Sequence, residues 1–209
     1  MPHTRFPPVA LAALALALFG CSDSDGPGSG CETRCPAGEF NFVELAPDAP
    51  PLYQDAVTFW AYTHRDGEAR LYFRDPQTGG PGEEFVRLRI DAGALLARPD
   101  GSPFGAVDSI RVTLRVVDPA VFQVELEPSG LAFNPLEPAE LKFHYNHADY
   151  DFDDDDDVDE EDLALEGRLT IWRQERPGDP FVRLSSLLQV EIDEVEAELL
   201  GFSRYAISY

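Results

Sequence analysis

Basic side chains are scarce in this sequence, and their scarcity excludes one large class of partners. The 209 residues contain 16 Lys and Arg against 39 Asp and Glu, which gives a formal net charge of −23 at pH 7. Lys142 is the sole lysine. A chain with this charge is repelled by nucleic acid and by anionic membrane surfaces. We therefore expect no nucleic-acid partner.

Long helical patterns and catalytic signatures are also missing. The 18 prolines are scattered, and no stretch keeps a helical apolar period over three turns. The sequence contains no G-x-S-x-G elbow, no H-E-x-x-H motif and no phosphate-binding glycine loop. His144 and His147 are predicted to point to opposite faces of a strand end, so they form no metal pair. We expect a protein that is not an enzyme.

Apolar residues form one long unbroken run, at the N-terminus. Arg5 precedes the run Val9 to Phe19, which is about half of the roughly 20 residues that a membrane-spanning helix needs. A short apolar run after a positive charge is typical of an export signal. The run ends in Leu-Phe-Gly-Cys, which resembles the lipobox of bacterial lipoproteins, where a small residue precedes the lipidated cysteine.

This resemblance implies a division of the chain. Residues 1–20 would be a signal peptide, and Cys21 would carry the lipid that attaches the protein to a membrane. The alternative is an ordinary secretory signal in which Cys21 is incidental. Residues 21–38 are predicted to be a lipidated flexible tether, and residues 39–209 a single domain. Ser22 follows the cysteine, a pattern that in this class goes with the outer membrane, so we expect an envelope protein anchored there.

The other two cysteines are predicted to form a small local disulfide. Cys31 and Cys35 would reach an oxidising compartment after export, where such bonds persist. A redox role is disfavoured, because three residues rather than two separate the cysteines and no βαβ pattern follows.

Alternation of apolar and polar residues dominates the rest of the chain. In SIRVTLRVV, for example, Val112 and Leu114 share one face and Arg111 and Thr113 the other. Turn residues separate about ten such segments, which predicts an all-β, immunoglobulin-like antiparallel β-sandwich. Outward arginines and glutamates predict cross-strand ion pairs. The segment VTFWAYTHRDGEARLYFR predicts a hairpin that turns at Asp66-Gly67 and has a central first arm.

Several motifs between Gly79 and Ser208 carry a family resemblance. They are IDAGAL (90–95), PSGLAF (128–133) and VEAELLGFSRYA (195–206). Together they resemble the domain shared by zona-occludens, netrin-receptor and ankyrin proteins. The resemblance implies an immunoglobulin-like sandwich that mediates contacts or spaces other parts, and it supplies no catalytic residues.

An acidic stretch, DYDFDDDDDVDEEDL (149–163), resembles a calcium-binding loop of dockerin type. The template D-x-D-x-D-G-x-[apolar]-x-x-x-E places Val158 at its apolar position and an aspartate at its last position. Its ligand positions fall on six aspartates: Asp151, Asp153, Asp155, Asp157, Asp159 and Asp162. Asp156 stands where the template has glycine. The alternative is a solvated acidic loop that binds no specific cation.

The sequence therefore predicts a lipid-anchored, non-enzymatic β-sandwich that acts as an interaction or structural module of the cell envelope. Its expected partners are the membrane, through the Cys21 lipid, and an envelope protein or glycan. Calcium is a candidate cofactor only if the acidic loop is a cation site rather than a solvated loop. Two alternatives stay open: a secreted carbohydrate-active or other hydrolase that uses acidic residues, and a calcium-dependent adhesion module.

Overall fold

The structure is a computed structural model and describes residues 31–209. Every strand pairing in this range is antiparallel. The larger sheet has seven strands, in the spatial order β1 (Arg34–Cys35), β11 (Phe181–Arg183), β10 (Thr170–Gln174), β14 (Arg204–Ser208), β7 (Gln123–Glu127), β6 (Ser109–Asp118) and β2 (Ala56–Tyr62). The second sheet has five, in the order β12 (Ser186–Gln189), β13 (Glu194–Leu199), β9 (Ala139–His144), β4 (Pro81–Ile90) and β3 (Gly67–Arg74). A two-stranded sheet joins β5 (Leu95–Ala97) to β8 (Ala132–Phe133), and one helix, α1, spans Glu160–Glu166.

Apolar side chains from both larger sheets fill one core, which confirms the predicted all-β sandwich. Phe85 on β4 stacks on Phe122, just before β7, with ring centroids 5.2 Å apart. On β6, Val112 and Leu114 are buried, as the alternation predicted. The buried Tyr205 hydroxyl donates a hydrogen bond to the Gly201 carbonyl, as in the tyrosine corner of immunoglobulin-like sandwiches.

The outer faces of the sheets carry the predicted cross-strand ion pairs. On the larger sheet, Glu125 of β7 pairs with Arg115 of β6 and with Arg204 of β14. On the smaller sheet, Lys142 of β9 lies 2.6 Å from a Glu194 carboxylate oxygen on β13. Pairs of this kind contribute about 0.2–1 kcal/mol each. They hold the register of neighbouring strands more than they stabilise the fold.

The hairpin prediction at Asp66-Gly67 is wrong. β2 pairs with β6 in the larger sheet, while β3 pairs with β4 in the smaller one, so the chain crosses between the layers. β2 is also an edge strand rather than a central one, and Trp60 is 55% exposed. The turn residues indicate that the chain reverses, but they do not indicate whether the second arm stays in the same sheet.

The N-terminal end of the described chain packs on the sandwich. Cys31 and Cys35 form a disulfide, and β1 pairs with β11 through Cys35 and Phe181. Phe40 stacks on Phe181 at 3.8 Å and lies edge-on to the buried Trp172 at 5.6 Å. Residues 31–38 were predicted to belong to the tether. In the structure they include β1 and pack against the larger sheet. The predicted signal peptide, residues 1–20, and Cys21 lie outside the described residues.

Candidate metal centre

The acidic loop connects β9 to β10 and ends in helix α1. Because β9 leads into it at His144 and β10 leaves at Thr170, the loop lies at one end of the sandwich. Tyr145 and Phe152 are buried and fasten the loop to the core. The aspartates from Asp153 to Asp157, which lie between Phe152 and the helix, are exposed.

Hydrogen bonds from the backbone fold the first half of the loop around one carboxylate. Asp151 accepts hydrogen bonds from the N–H groups of Asp155, at 3.1 Å, and Asp156, at 2.9 Å. The backbone at Asp154 and Asp156 has positive φ angles of 61° and 68°. Aspartate tolerates this left-handed conformation better than most residues do, so the chain turns here without the glycine of the template.

The second half of the loop is organised by Asp162. Its buried carboxylate accepts hydrogen bonds from the N–H groups of Phe152, at 2.6 Å, and Asp159, at 2.9 Å. Asp159 is the N-cap of α1 and accepts from the N–H of Glu161, which completes a capping box with Asp162. The helix has seven residues, which is about two turns and too short to show a helical apolar period over three turns.

Three of the six predicted ligands come together. One carboxylate oxygen from each of Asp151, Asp153 and Asp155 lies within 4.8 Å of the other two. Oxygen ligands of calcium lie about 2.3–2.6 Å from the ion, so two of them are at most about 5 Å apart. The three carboxylates therefore fit one cation of this size.

The other three predicted ligands lie outside this group of carboxylates. The side chain of Asp157 accepts a hydrogen bond from Val158, while Asp159 and Asp162 cap α1 and join it to the loop. At position seven the calcium template uses a backbone carbonyl, so the side chain of Asp157 is not required for binding. In the structure, Asp159 and Asp162 hold the loop in its conformation through hydrogen bonds to the backbone.

Like charge dominates the electrostatics of the cluster. The pKa of Asp153 is raised, first by partial desolvation and then by the negative charges of Asp155, Asp162 and Asp151. Across the described residues, no Lys, Arg or His forms an ion pair with any carboxylate from Asp149 to Asp162. A divalent cation is the simplest group that could neutralise these carboxylates, and oxygen-only ligands suit a hard cation such as Ca²⁺.

An open cleft of about 720 Å³ runs beside the cluster. Asn41, Phe42, Arg168 and Tyr209 line it together with the loop. Burial raises the pKa of the Tyr209 hydroxyl, which donates a hydrogen bond to the Phe152 carbonyl. Asn41, Phe42 and Tyr209 come from the two ends of the described chain, so no local sequence pattern could have placed them beside the loop.

His144 and His147 contact different carboxylates. His144 lies between Glu84, at 2.9 Å from its Nε2, and Glu194, at 3.4 Å from its Nδ1. His147 contacts Glu83 at 2.6 Å and packs edge-on against Phe73. The two imidazoles share no ion-pair partner among the described residues.

The comparisons with known proteins give no relative for this chain. No family model, no curated protein and no solved structure matches it. The likenesses to the lipobox and to the zona-occludens, netrin-receptor and ankyrin domain thus stay predictions.

Proposed function

We propose that this protein is a lipid-anchored lipoprotein of the bacterial cell envelope whose β-sandwich acts as a non-enzymatic interaction or structural module. The sandwich is filled by side chains from both sheets, and its outer faces carry cross-strand ion pairs. The observation that carries the anchoring is the sequence Leu-Phe-Gly-Cys at the end of the apolar run. Within the described range, no helix is long and apolar enough to cross a bilayer.

Calcium is proposed as a structural ion of the same module. The gathering of Asp151, Asp153 and Asp155 supports this part of the proposal. An ion held there would fix the loop that closes one end of the sandwich. Adhesion that depends on calcium would follow if a partner contacts this end.

Detergent-phase partitioning of the full chain, produced in a bacterium, tests the anchoring. The wild-type protein is expected in the detergent phase, with a mature N-terminus at Cys21 that carries acyl chains by intact mass. By intact mass, Cys21→Ser should lose both the acyl chains and the cleavage before residue 21, and the Cys31→Ser, Cys35→Ser double variant should keep both. A wild-type chain without lipid at Cys21 would contradict the proposal.

A hydrolase is the second candidate, because the cleft beside the loop contains both aromatic residues and carboxylates. Glycosidases place two carboxyl groups about 5–10 Å apart on either side of the scissile bond. Here one carboxylate oxygen from each of Asp151, Asp153 and Asp155 lies within 4.8 Å of the other two, a spacing that suits a shared cation. Turnover of p-nitrophenyl glycosides that Asp153→Asn abolishes would establish the hydrolase instead.

A further inference from the structure

Strand β2 is a sheet edge without a charged side chain. It ends the seven-stranded sheet, and its sequence from Ala56 to Tyr62 is AVTFWAY. Proteins commonly protect such edges with charged residues, proline or a bulge, because free backbone groups pair readily with another strand. β2 has none of these, and its register with β6 runs from Ala56 to Tyr62 without a shift.

The hydrogen-bond pattern shows which backbone groups of β2 point away from the sheet. The Asp55 carbonyl accepts from Val116, and the Thr63 N–H donates to Asp108, so the odd-numbered residues bond to β6. The even-numbered residues therefore direct their N–H and C=O groups to the open edge. Tyr62 is bridged there to Arg65 in the following turn. This leaves Ala56, Thr58 and Trp60, beside which no other strand of the described chain is paired.

We propose that this edge binds β2 of a second copy of the chain, antiparallel, with the two-fold axis at Thr58. In that register Thr58 pairs with Thr58 of the second copy, and Ala56 pairs with its Trp60. The outward backbone groups of Ala56, Thr58 and Trp60 therefore all gain partners, and Tyr62 keeps its bridge to Arg65. The side chains match in size: the exposed Trp60 meets the small Ala56, and the half-buried Phe59 meets Val57. The result is a continuous sheet through both copies.

Charge complementarity favours a second copy over another partner. Asp55 and Arg65 flank β2, are both exposed, and form none of the ion pairs of the described residues. Antiparallel pairing brings the Asp55 end of each copy beside the Arg65 end of the other. Two chains that each carry a charge of −23 repel one another across most approaches, and a charge-free edge with opposite charges at its ends is where they can meet.

Sedimentation velocity over a concentration series tests the dimer, with Cys21→Ser in the full chain so that no lipid contributes. The parent chain is expected to shift from monomer to dimer as its concentration rises. Thr58→Asp places two carboxylates opposite each other at the axis, and the dimer should be lost. Thr113→Asp is the matched control, because Thr113 lies on β6 with its hydroxyl 3.0 Å from that of Thr58, one strand in from the edge. That variant should still dimerise.

Charge reversal separates loss of pairing from loss of folding. Thr58→Lys alone should also be monomeric, and an equimolar mixture of Thr58→Asp and Thr58→Lys should restore the dimer. The proposal is overturned by a parent chain that stays monomeric, by a dimer that persists in Thr58→Asp, or by a mixture that fails to associate. Capture of an extended peptide from another protein by a monomeric parent chain would also overturn it.

Discussion

Asp154 and Asp156 have positive φ angles of 61° and 68°, a backbone conformation that favours glycine. Their neighbours do not share it, although all are aspartates in the same run. A non-glycine residue in this region costs about 1–2 kcal/mol, and less for aspartate. The loop therefore holds local strain at the same two residues whose turn brings Asp151, Asp153 and Asp155 together.

Substitution of Asp156 by glycine should consequently stabilise the protein. Glycine adopts the positive φ without strain, and the change also removes one of the crowded negative charges, so we expect a gain of about 0.5–1 kcal/mol. Asp157→Gly removes the same charge but relieves no strain, because φ is not positive there, so its free energy of unfolding should be lower than that of Asp156→Gly. Urea unfolding of the two variants compares them directly. Equal stabilities would show that strain at Asp156 is negligible.

At the scale of elements, alternation predicted which residues of a strand share a face, but not which strands are neighbours. Val112 and Leu114 of β6 are buried as expected. β2 and β3 were placed in one hairpin because the pattern does not record which sheet each arm joins. Residues 31–209 form fourteen strands rather than about ten, since β1, β5 and β8 have only two or three residues and show no period.

Sequence spacing likewise predicted only part of the candidate site, because it does not record which distant residues become neighbours. The spacing of Asp151, Asp153 and Asp155 in the sequence was enough to identify the cluster. The burial of Asp162 depends on its contacts with Phe152 and α1, which spacing does not reveal. Asn41 and Tyr209, which line the cleft, reach it only through the fold.

The segment closed by the Cys31–Cys35 disulfide should shield Trp172 from solvent. Cys31→Ser with Cys35→Ser removes a loop constraint worth about 2 kcal/mol or less, and it frees the segment that packs Phe40 against Phe181 and Trp172. In a Trp60→Phe background, Trp172 is the sole tryptophan. Its quenching by acrylamide should rise in the double variant. Unchanged quenching would show that β1 and Phe40 stay in place without the disulfide.

At the scale of the whole molecule, the first described residues and the acidic loop lie at the same end of the sandwich. Asn41 and Tyr209 line a small cavity with Cys31 and also line the cleft beside the loop. The nine residues between Cys21 and Cys31 span at most about 30 Å when extended. If Cys21 is lipidated, this end of the sandwich lies within reach of the membrane surface, and a bound cation would reduce the repulsion between the loop and anionic headgroups.

The central claim is that this loop binds calcium, and the melting temperature of the Cys21→Ser chain in millimolar Ca²⁺ tests it most directly. We expect Ca²⁺ to raise the melting temperature, Mg²⁺ to raise it less, and Asp153→Asn with Asp155→Asn to abolish the rise. The control, Asp154→Asn with Asp156→Asn, removes the same charge but keeps the three clustered carboxylates, so its melting temperature should still rise. No response of the parent chain, or an equal loss in both double variants, would contradict the claim.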